Sequence, residues 1–200
     1  MVEKVYVHPS ALCESNEVGV GTKLWAFSHV MKGAVVGEDC NLGDHAFVET
    51  GAVIGSGVTI KNQVLIWEGV TIADGAFIGP GVKFTNDRYP RSPRLSLSAV
   101  AIRYAKKSSW LCHTYVGEGA SLGAGVVVAP GIRIGRFATI AAGAVVTKDV
   151  KDFSLMLGNP SRSQGWVCRC GVPLRNQVKD RFLCECGDKY ELSEVGLILL

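Results

Sequence analysis

A six-residue period of aliphatic side chains constrains the fold more strongly than any other feature of the sequence. Valine, leucine or isoleucine recurs at every sixth residue from Val18 to Ile78, and Phe84 ends the run. The period then stops and resumes in a new phase from Val116 to Val146. A period of six does not match the 3.6 residues per turn of an α-helix, and short tandem repeats indicate a solenoid.

Glycine follows the same period. If each aliphatic residue is counted as position i, every glycine from Gly19 to Gly143 lies at i+1 or i+3. Such fixed offsets indicate tight corners or positive φ angles. Position i+4 is mostly small or β-branched, and it faces the same way on a strand as the next position i. Each hexamer is therefore predicted to form a short strand and a corner. Three hexamers form one coil of eighteen residues, and coils stack about 4.8 Å apart.

The repeats are interrupted once, between Phe84 and Trp110, by FTNDRYPRSPRLSLSAVAIRYAKKSSW. A long loop inside a compact repeat is usually functional. This loop is basic, with Arg88, Arg91, Arg94, Arg103, Lys106 and Lys107. It could also be a solvated flap that holds subunits together. A purely structural solenoid would favour a monotonous face, which this insertion breaks.

Stacking of coils predicts which distant residues are neighbours. Glu68 precedes Asn86 by eighteen residues, so it should lie directly beneath Asn86, about 5 Å away in backbone. His29 lies three coils below the level of Lys83, about 14 Å along the axis. A nucleotide sugar is long enough to span that distance, whereas a small metabolite is not.

Five segments carry a family resemblance: KLWAFSHV (23–30), IKNQVLIWEGV (60–70), FTNDRYPRS (84–92), GAVVTKDV (143–150) and GNPSRSQGWVCRCG (158–171). With them the chain resembles the left-handed β-helix acyltransferases, and among these the bacterial N-acetyltransferases of nucleotide-linked 3-amino sugars. It is most similar to those acting on UDP-2-acetamido-3-amino-2,3-dideoxy-glucuronate in surface-polysaccharide (O-antigen) synthesis. Ala26 replaces a usual histidine, and LCHTYVGEGA (111–120) departs from the usual pattern. A dTDP-linked 3-amino sugar therefore stays open as the acceptor.

The resemblance implies an all-β fold: a left-handed parallel β-helix over residues 1–160, with a loop inserted at 85–109 and a cysteine-rich tail at 161–200. It also implies acetyl-CoA as co-substrate and a homotrimer with active sites between subunits. Asn86 would lie beside the acceptor amine, which acts as its own nucleophile without a dedicated protein base. His29, Glu68 and Arg91 are candidate substrate contacts. The candidate coenzyme A contacts are Ala124, Ala142, Lys148 and Arg162.

The tail contains two matched motifs, CRCG and CECG, which resemble a degenerate zinc ribbon. Four thiolates can enclose one tetrahedral Zn²⁺, with no position left open for catalysis. The usual motif has two residues between the cysteines, whereas each pair here has one, so a redox pair and a metal-free hairpin both stay open. The predicted ligands are Cys168, Cys170, Cys184 and Cys186. Cys13, Cys40 and Cys112 are interpreted as packing residues.

Composition excludes several classes of protein. A net charge of +3 is far from the dense basic patch of a nucleic-acid-binding protein. No apolar stretch approaches the roughly 20 residues that span a bilayer, and no secretory signal begins the chain, so a cytoplasmic location without membrane insertion is expected. A γ-class carbonic anhydrase is a less favoured alternative, because it needs three converging histidines and His29, His45 and His113 do not share a stacking column. An O-acetyltransferase that uses His113 as its base stays open, as does a non-enzymatic scaffold.

Overall fold

The repeats form a parallel β-helix in the computed structural model, which describes residues 4–175, 177–194 and 196–200. Sheet A contains β1 (Tyr6–Val7), β3 (Lys23–Leu24), β6 (Asn41–Leu42), β9 (Thr59–Ile60), β12 (Phe77–Ile78), β15 (Ser121–Leu122), β18 (Thr139–Ile140), β20 (Ser154–Leu157) and β21 (Arg162–Trp166). Sheet B contains β2 (Leu12–Cys13), β4 (His29–Val30), β7 (Phe47–Val48), β10 (Leu65–Ile66), β13 (Lys83–Phe84), β16 (Val127–Val128) and β19 (Val145–Val146). Sheet C contains β5 (Val35–Val36), β8 (Val53–Ile54), β11 (Val70–Ile72), β14 (Thr114–Val116) and β17 (Arg133–Ile134).

The register of the strands is the predicted one. Within each run of repeats, residues eighteen apart pair, as Leu24 pairs with Leu42 and Leu42 with Ile60, and across the insertion Ile78 pairs with Leu122. The aliphatic residues of position i and the small residues of position i+4 point inward and form one continuous core. The predicted fold class, a left-handed parallel β-helix of hexapeptide repeats with an inserted loop and a cysteine-rich tail, is confirmed.

The two glycine positions have different physical causes. Glycines at i+3 have positive φ, and at equivalent corners Phe27, His45 and Gln63 adopt the same left-handed backbone. Glycines at i+1 lie against the coil above. A Cβ on Gly79 would lie 2.6 Å from the Leu122 carbonyl oxygen. The corner conformation therefore accounts for glycine at i+3, and the close spacing of coils accounts for glycine at i+1.

The insertion leaves the β-helix after β13 of sheet B and returns at β14 of sheet C. It contains a short helix, α1 (Ser98–Tyr104), and a 3₁₀ turn (Lys107–Ser109), where the sequence predicted only an irregular loop. Val100 on α1 is buried. One apolar anchor in a seven-residue helix is too weak a periodic signal to be read from the sequence.

The tail begins by continuing the β-helix. Strand β21 pairs antiparallel with β20, so the predicted division between residues 160 and 161 falls in the turn between two paired strands. A small four-stranded sheet follows: β22 (Gln177–Val178), β23 (Arg181–Leu183), β24 (Lys189–Ser193) and β25 (Gly196–Leu199). Its own core includes Phe182 and Tyr190 and extends to Phe153 at the last coil. Among the described residues, no helix is both long and apolar enough to cross a bilayer.

Candidate active site

Asn86 lies half-buried at the corner between sheets B and C, where the insertion leaves the β-helix. Its side-chain Nδ2 donates a hydrogen bond to the Glu68 carbonyl oxygen over 3.2 Å. Glu68 therefore lies in the coil directly beneath, as the eighteen-residue spacing predicts. Oδ1 is the atom of the amide that can accept a hydrogen bond from a bound molecule, and Nδ2 carries a second N–H that can donate one.

Glu68 is held in place from two sides. Its backbone N–H donates to Glu49 Oε2 (2.8 Å), and its carboxylate accepts a hydrogen bond from Lys107 Nζ (2.6 Å). Lys107 belongs to the insertion, so this ion pair ties the loop to the β-helix one coil below Asn86. The charge of Glu68 is thus paired within the chain, and a cationic substrate group would have to compete with Lys107.

A second set of contacts shapes the start of the insertion. The Tyr104 hydroxyl at the end of α1 donates a short hydrogen bond to Asp87 Oδ2 and accepts one from the Arg91 backbone N–H (3.0 Å). Asp87 Oδ1 also accepts the Tyr89 backbone N–H (2.8 Å). These bonds fold residues 87–91 into a compact turn immediately after Asn86. The exposed Arg91 guanidinium contacts the carbonyl of Pro90, its own neighbour, rather than the corner.

Sequence reasoning assigned no role to Asp87, Tyr104 or Lys107. Their partners lie 17 and 39 residues away, and α1 and the 3₁₀ turn bring them together rather than coil stacking. No periodic signal in the sequence encodes such contacts.

His29 lies apart from the Asn86 corner. It is on the outward face of sheet B, where the register His29–Phe47–Leu65–Lys83 places it three coils below Lys83. Its Nε2 is 3.0 Å from Glu14 Oε2, and its ring packs edge-on against Phe47. A role for His29 therefore requires a ligand that extends along the axis.

His113 lies at the opposite end of the insertion, next to the Asn86 corner. The preceding residue, Cys112, donates its backbone N–H to the Asn86 carbonyl (2.8 Å). The side chain of His113 is exposed, and β14 begins at the next residue. The structure thus brings His113 closer to Asn86 than its separation in sequence suggests.

The four candidate coenzyme A residues occupy two corners. Ala124 and Ala142 stack at the exposed corner between sheets A and B, where Gly143 N–H donates to the Ala124 carbonyl (2.8 Å). Arg162 follows the turn between β20 and β21, which lies at the same corner. Lys148 instead lies two coils above Asn86 on the corner between sheets B and C, because Phe84 pairs with Val128 and Val128 with Val146. Within one chain, Lys148 is therefore nearer to the Asn86 column than to the alanines.

The four tail cysteines converge. Their sulfur atoms all lie within 4.8 Å of one another. A hydrogen bond from the Cys186 backbone lowers the pKa of the Cys184 thiol. Burial and the neighbouring thiols outweigh this effect and raise the pKa to about 12. Nearby, Arg169 donates two hydrogen bonds to Asp188 and lowers the pKa of that carboxyl group.

Two family profiles match the chain. The profile described as "Bacterial transferase hexapeptide (six repeats)" matches residues 51–86 and 113–148, which flank the insertion. The profile described as "Hexapeptide repeat of succinyl-transferase" matches residues 33–66.

Individual proteins are also similar. The dTDP-3-amino-3,6-dideoxy-alpha-D-galactopyranose 3-N-acetyltransferase of Aneurinibacillus thermoaerophilus is 40% identical over 96% of this chain and 93% of its own length. A galactoside O-acetyltransferase of Lactococcus lactis is 34% identical over 58% of this chain and 48% of its own length. The acetyltransferase domain of PglB from Neisseria gonorrhoeae, solved with acetyl coenzyme A, aligns with 82% of this chain and 58% of its own at 21% identity and a TM-score of 0.49.

Proposed function

The chain belongs to the hexapeptide-repeat family of bacterial transferases, and on that premise we propose that it moves an acetyl group from acetyl-CoA to the 3-amino group of a nucleotide-linked sugar. The observation that carries this proposal is the 40% identity to a sugar 3-N-acetyltransferase, which extends over nearly the whole of both chains. The insertion and its polar corner lie inside the aligned length. The similarity is therefore not limited to the repeats, which many transferases share.

The proposed chemistry relies on position more than on acid–base catalysis. The neutral sugar amine attacks the thioester carbonyl carbon, and the tetrahedral intermediate expels the coenzyme A thiolate, which takes up the proton that the amine loses. A thioester is already activated, so correct placement of the two reactants can supply much of the rate enhancement. Asn86 Oδ1 would accept an N–H of the amine and direct its lone pair at the carbonyl. Backbone N–H groups at a coil corner would stabilise the oxyanion.

We infer a dTDP-linked 3-amino-dideoxyhexose as the acceptor to test first, because the relative that aligns along nearly its whole length is named for such a sugar. The UDP-linked 3-amino glucuronate expected from the sequence motifs is the alternative. The two differ in the nucleoside, in the substituent at C2 and in the charge at C6. Arg91 is exposed and close in sequence to Asn86, so it would contact an acceptor carboxylate if one is present.

We further propose that the active enzyme is a homotrimer with sites between subunits. Outward-facing apolar side chains on sheets B and C support this proposal, since Leu12 is 52% exposed, Val53 39% and Leu65 38% in the single chain. Leu65 adjoins Phe47 in the register of sheet B, and neighbouring apolar side chains on a surface mark contact sites. A subunit interface would also bring the alanine corner of one chain towards the Asn86 corner of another. A cytoplasmic location, where the seven thiols stay reduced, completes the proposal.

The test is coenzyme A release from acetyl-CoA with dTDP- and UDP-linked 3-amino sugars and with the matched 3-hydroxy sugars. Turnover confined to amino sugars is the expected result, and the preferred nucleotide identifies the acceptor. Release with the 3-hydroxy sugars alone would overturn N-acetylation.

O-acetylation is the second candidate, favoured by the galactoside O-acetyltransferase relative and by the position of the exposed His113 beside the Asn86 corner. A hydroxyl acceptor needs a base, whereas an amine does not. Under N-acetylation, His113→Ala should retain full turnover, whereas Asn86→Ala should reduce it. The reverse pattern would favour O-acetylation.

A further inference from the structure

The two cysteine motifs of the tail form two copies of the same turn. In the first, the Cys168 N–H donates to the Val172 carbonyl (2.9 Å), and the Gly171 N–H donates to the Cys168 carbonyl (2.8 Å). The second turn repeats both bonds from Cys184, at 2.9 and 3.0 Å. The glycine that closes each turn has a positive φ, of 90° and 97°. Only glycine adopts such angles readily, which accounts for the glycine after each cysteine pair.

The paired turns face each other and bring the sulfur atoms to the spacing of metal ligands. Cys168 Sγ lies 3.5 Å from Cys186 Sγ, and Cys170 Sγ lies 3.6 Å from Cys184 Sγ. A tetrahedral Zn²⁺ with Zn–S bonds of about 2.3 Å separates its sulfurs by about 3.8 Å. All four sulfurs lie within 4.8 Å of one another, so small side-chain adjustments suffice to enclose one ion. The spacing of one residue within each pair is therefore compatible with a four-thiolate site.

Donors around Cys168 are placed to stabilise its thiolate, and Arg169 pairs with the Asp188 carboxylate, whose Oδ2 lies 3.5 Å from the same sulfur. The buried Tyr190 hydroxyl donates to Cys168 Sγ (3.1 Å), and the Cys170 backbone N–H is 3.5 Å from the same sulfur. The Tyr190 hydroxyl in turn accepts the Arg169 backbone N–H (2.9 Å). Hydrogen bonds of this kind orient metal ligands and offset the negative charge of a four-thiolate centre.

The cluster is connected to the end of the β-helix through aromatic packing. Tyr190 packs edge-on against Phe153 (5.4 Å between ring centroids), and Phe153 stacks on Phe137 of the preceding coil (5.5 Å). Solenoids need a cap over their terminal coil. A metal that fixes Cys168 and Tyr190 would therefore also fix this cap.

We propose that Cys168, Cys170, Cys184 and Cys186 bind one Zn²⁺ per chain, and that the ion holds the tail as a cap on the β-helix. The site is structural, because four thiolates leave no coordination position for a substrate or water. It is independent of the proposed transferase chemistry, whose residues lie on the corners of the β-helix.

The first test measures metal in the full-length protein by elemental mass spectrometry. The wild type, after removal of loosely bound ions, is expected to contain about one zinc per chain. Cys170→Ser and Cys186→Ser remove exposed ligands and should contain less than about a tenth of that amount, whereas the control Cys13→Ser should match the wild type. Wild type that is free of zinc after expression with added zinc would overturn the proposal, as would undiminished zinc in Cys170→Ser.

A second measurement does not depend on whether the variants fold. Cobalt added to chelator-treated wild type should produce thiolate charge-transfer absorption that saturates at one ion per chain. The zinc-loaded protein, denatured without reductant, should yield all seven thiols. Three thiols would instead indicate two disulfides, and this result would overturn the zinc site. Melting of the metal-free protein several degrees below the loaded form would support the capping role.

Discussion

At the scale of single residues, the proposed chemistry requires two functions of the Asn86 side chain. Its Nδ2 donates to the Glu68 carbonyl, which restrains the amide, and its Oδ1 would accept a hydrogen bond from the acceptor amine. A fixed acceptor atom beside the thioester would orient an amine without removing a proton from it in advance. A carboxylate at the same position could not donate to the Glu68 carbonyl.

Asn86→Ala should lower kcat/KM by roughly tenfold to a hundredfold, the equivalent of one lost hydrogen bond in the transition state. Asn86→Asp should be at least as impaired, because it loses the bond to Glu68 and adds a charge. Steady-state kinetics with the preferred amino sugar provide the measurement, and unchanged melting temperatures would show that the folds are intact. Full activity of Asn86→Ala would exclude the orienting role.

At the scale of elements, sequence and structure agree where contacts repeat and differ where they do not. Strand positions, register and the stacking of Glu68 beneath Asn86 follow from a spacing of eighteen, because every coil imposes the same geometry on the next. Helix α1 and the Tyr104–Asp87 bond do not repeat, so they left no comparable signal. The coenzyme A contacts also left no periodic signal, because the corner position of Ala124 and Ala142 holds Asp44, Asn62 and Pro80 in earlier coils.

The turn after Asn86 depends on α1 through the Tyr104 hydroxyl. Tyr104→Phe removes the donor to Asp87 and the acceptor for the Arg91 N–H. Hydrogen exchange at residues 87–91 should become faster and kcat/KM should fall, while the melting temperature of the β-helix stays unchanged. Tyr89→Phe is the matched control, because the Tyr89 side chain is 67% exposed. Equal exchange in both variants would contradict this role for Tyr104.

Gly79 and Gly81 lie in one coil, and substitutions at them test the two causes of the glycine pattern separately: close spacing of coils and positive φ. In Gly79→Ala, the new Cβ meets the backbone of the next coil at 2.6 Å, so the variant should lose about 3 kcal/mol or more of unfolding free energy. In Gly81→Ala, the Cβ enters open space and the cost is the positive φ alone, about 1–2 kcal/mol. Urea unfolding of both variants tests this order, and a larger loss for Gly81→Ala would show that coil spacing is not the stronger constraint.

At the scale of the whole molecule, the proposed site is incomplete in one chain. Lys148 lies on the Asn86 corner, whereas Ala124 and Ala142 lie on another, and a trimer would bring different corners together. Light scattering after size exclusion should therefore give three times the chain mass of 21.3 kDa. Dilution that dissociates the trimer should reduce specific activity in parallel. A fully active monomer would contradict shared sites.

The bond formed in the product tests the central claim most directly. The enzyme would be incubated with acetyl-CoA labelled in the acetyl group and a dTDP-linked 3-amino sugar, and the product treated with alkaline hydroxylamine, which cleaves oxygen esters, before mass spectrometry. Acetyl transfer to nitrogen predicts one labelled acetyl group that survives the treatment, because amides resist hydroxylamine. A labelled product that loses its acetyl group is an ester, and that result would contradict the assignment of the chain as an N-acetyltransferase.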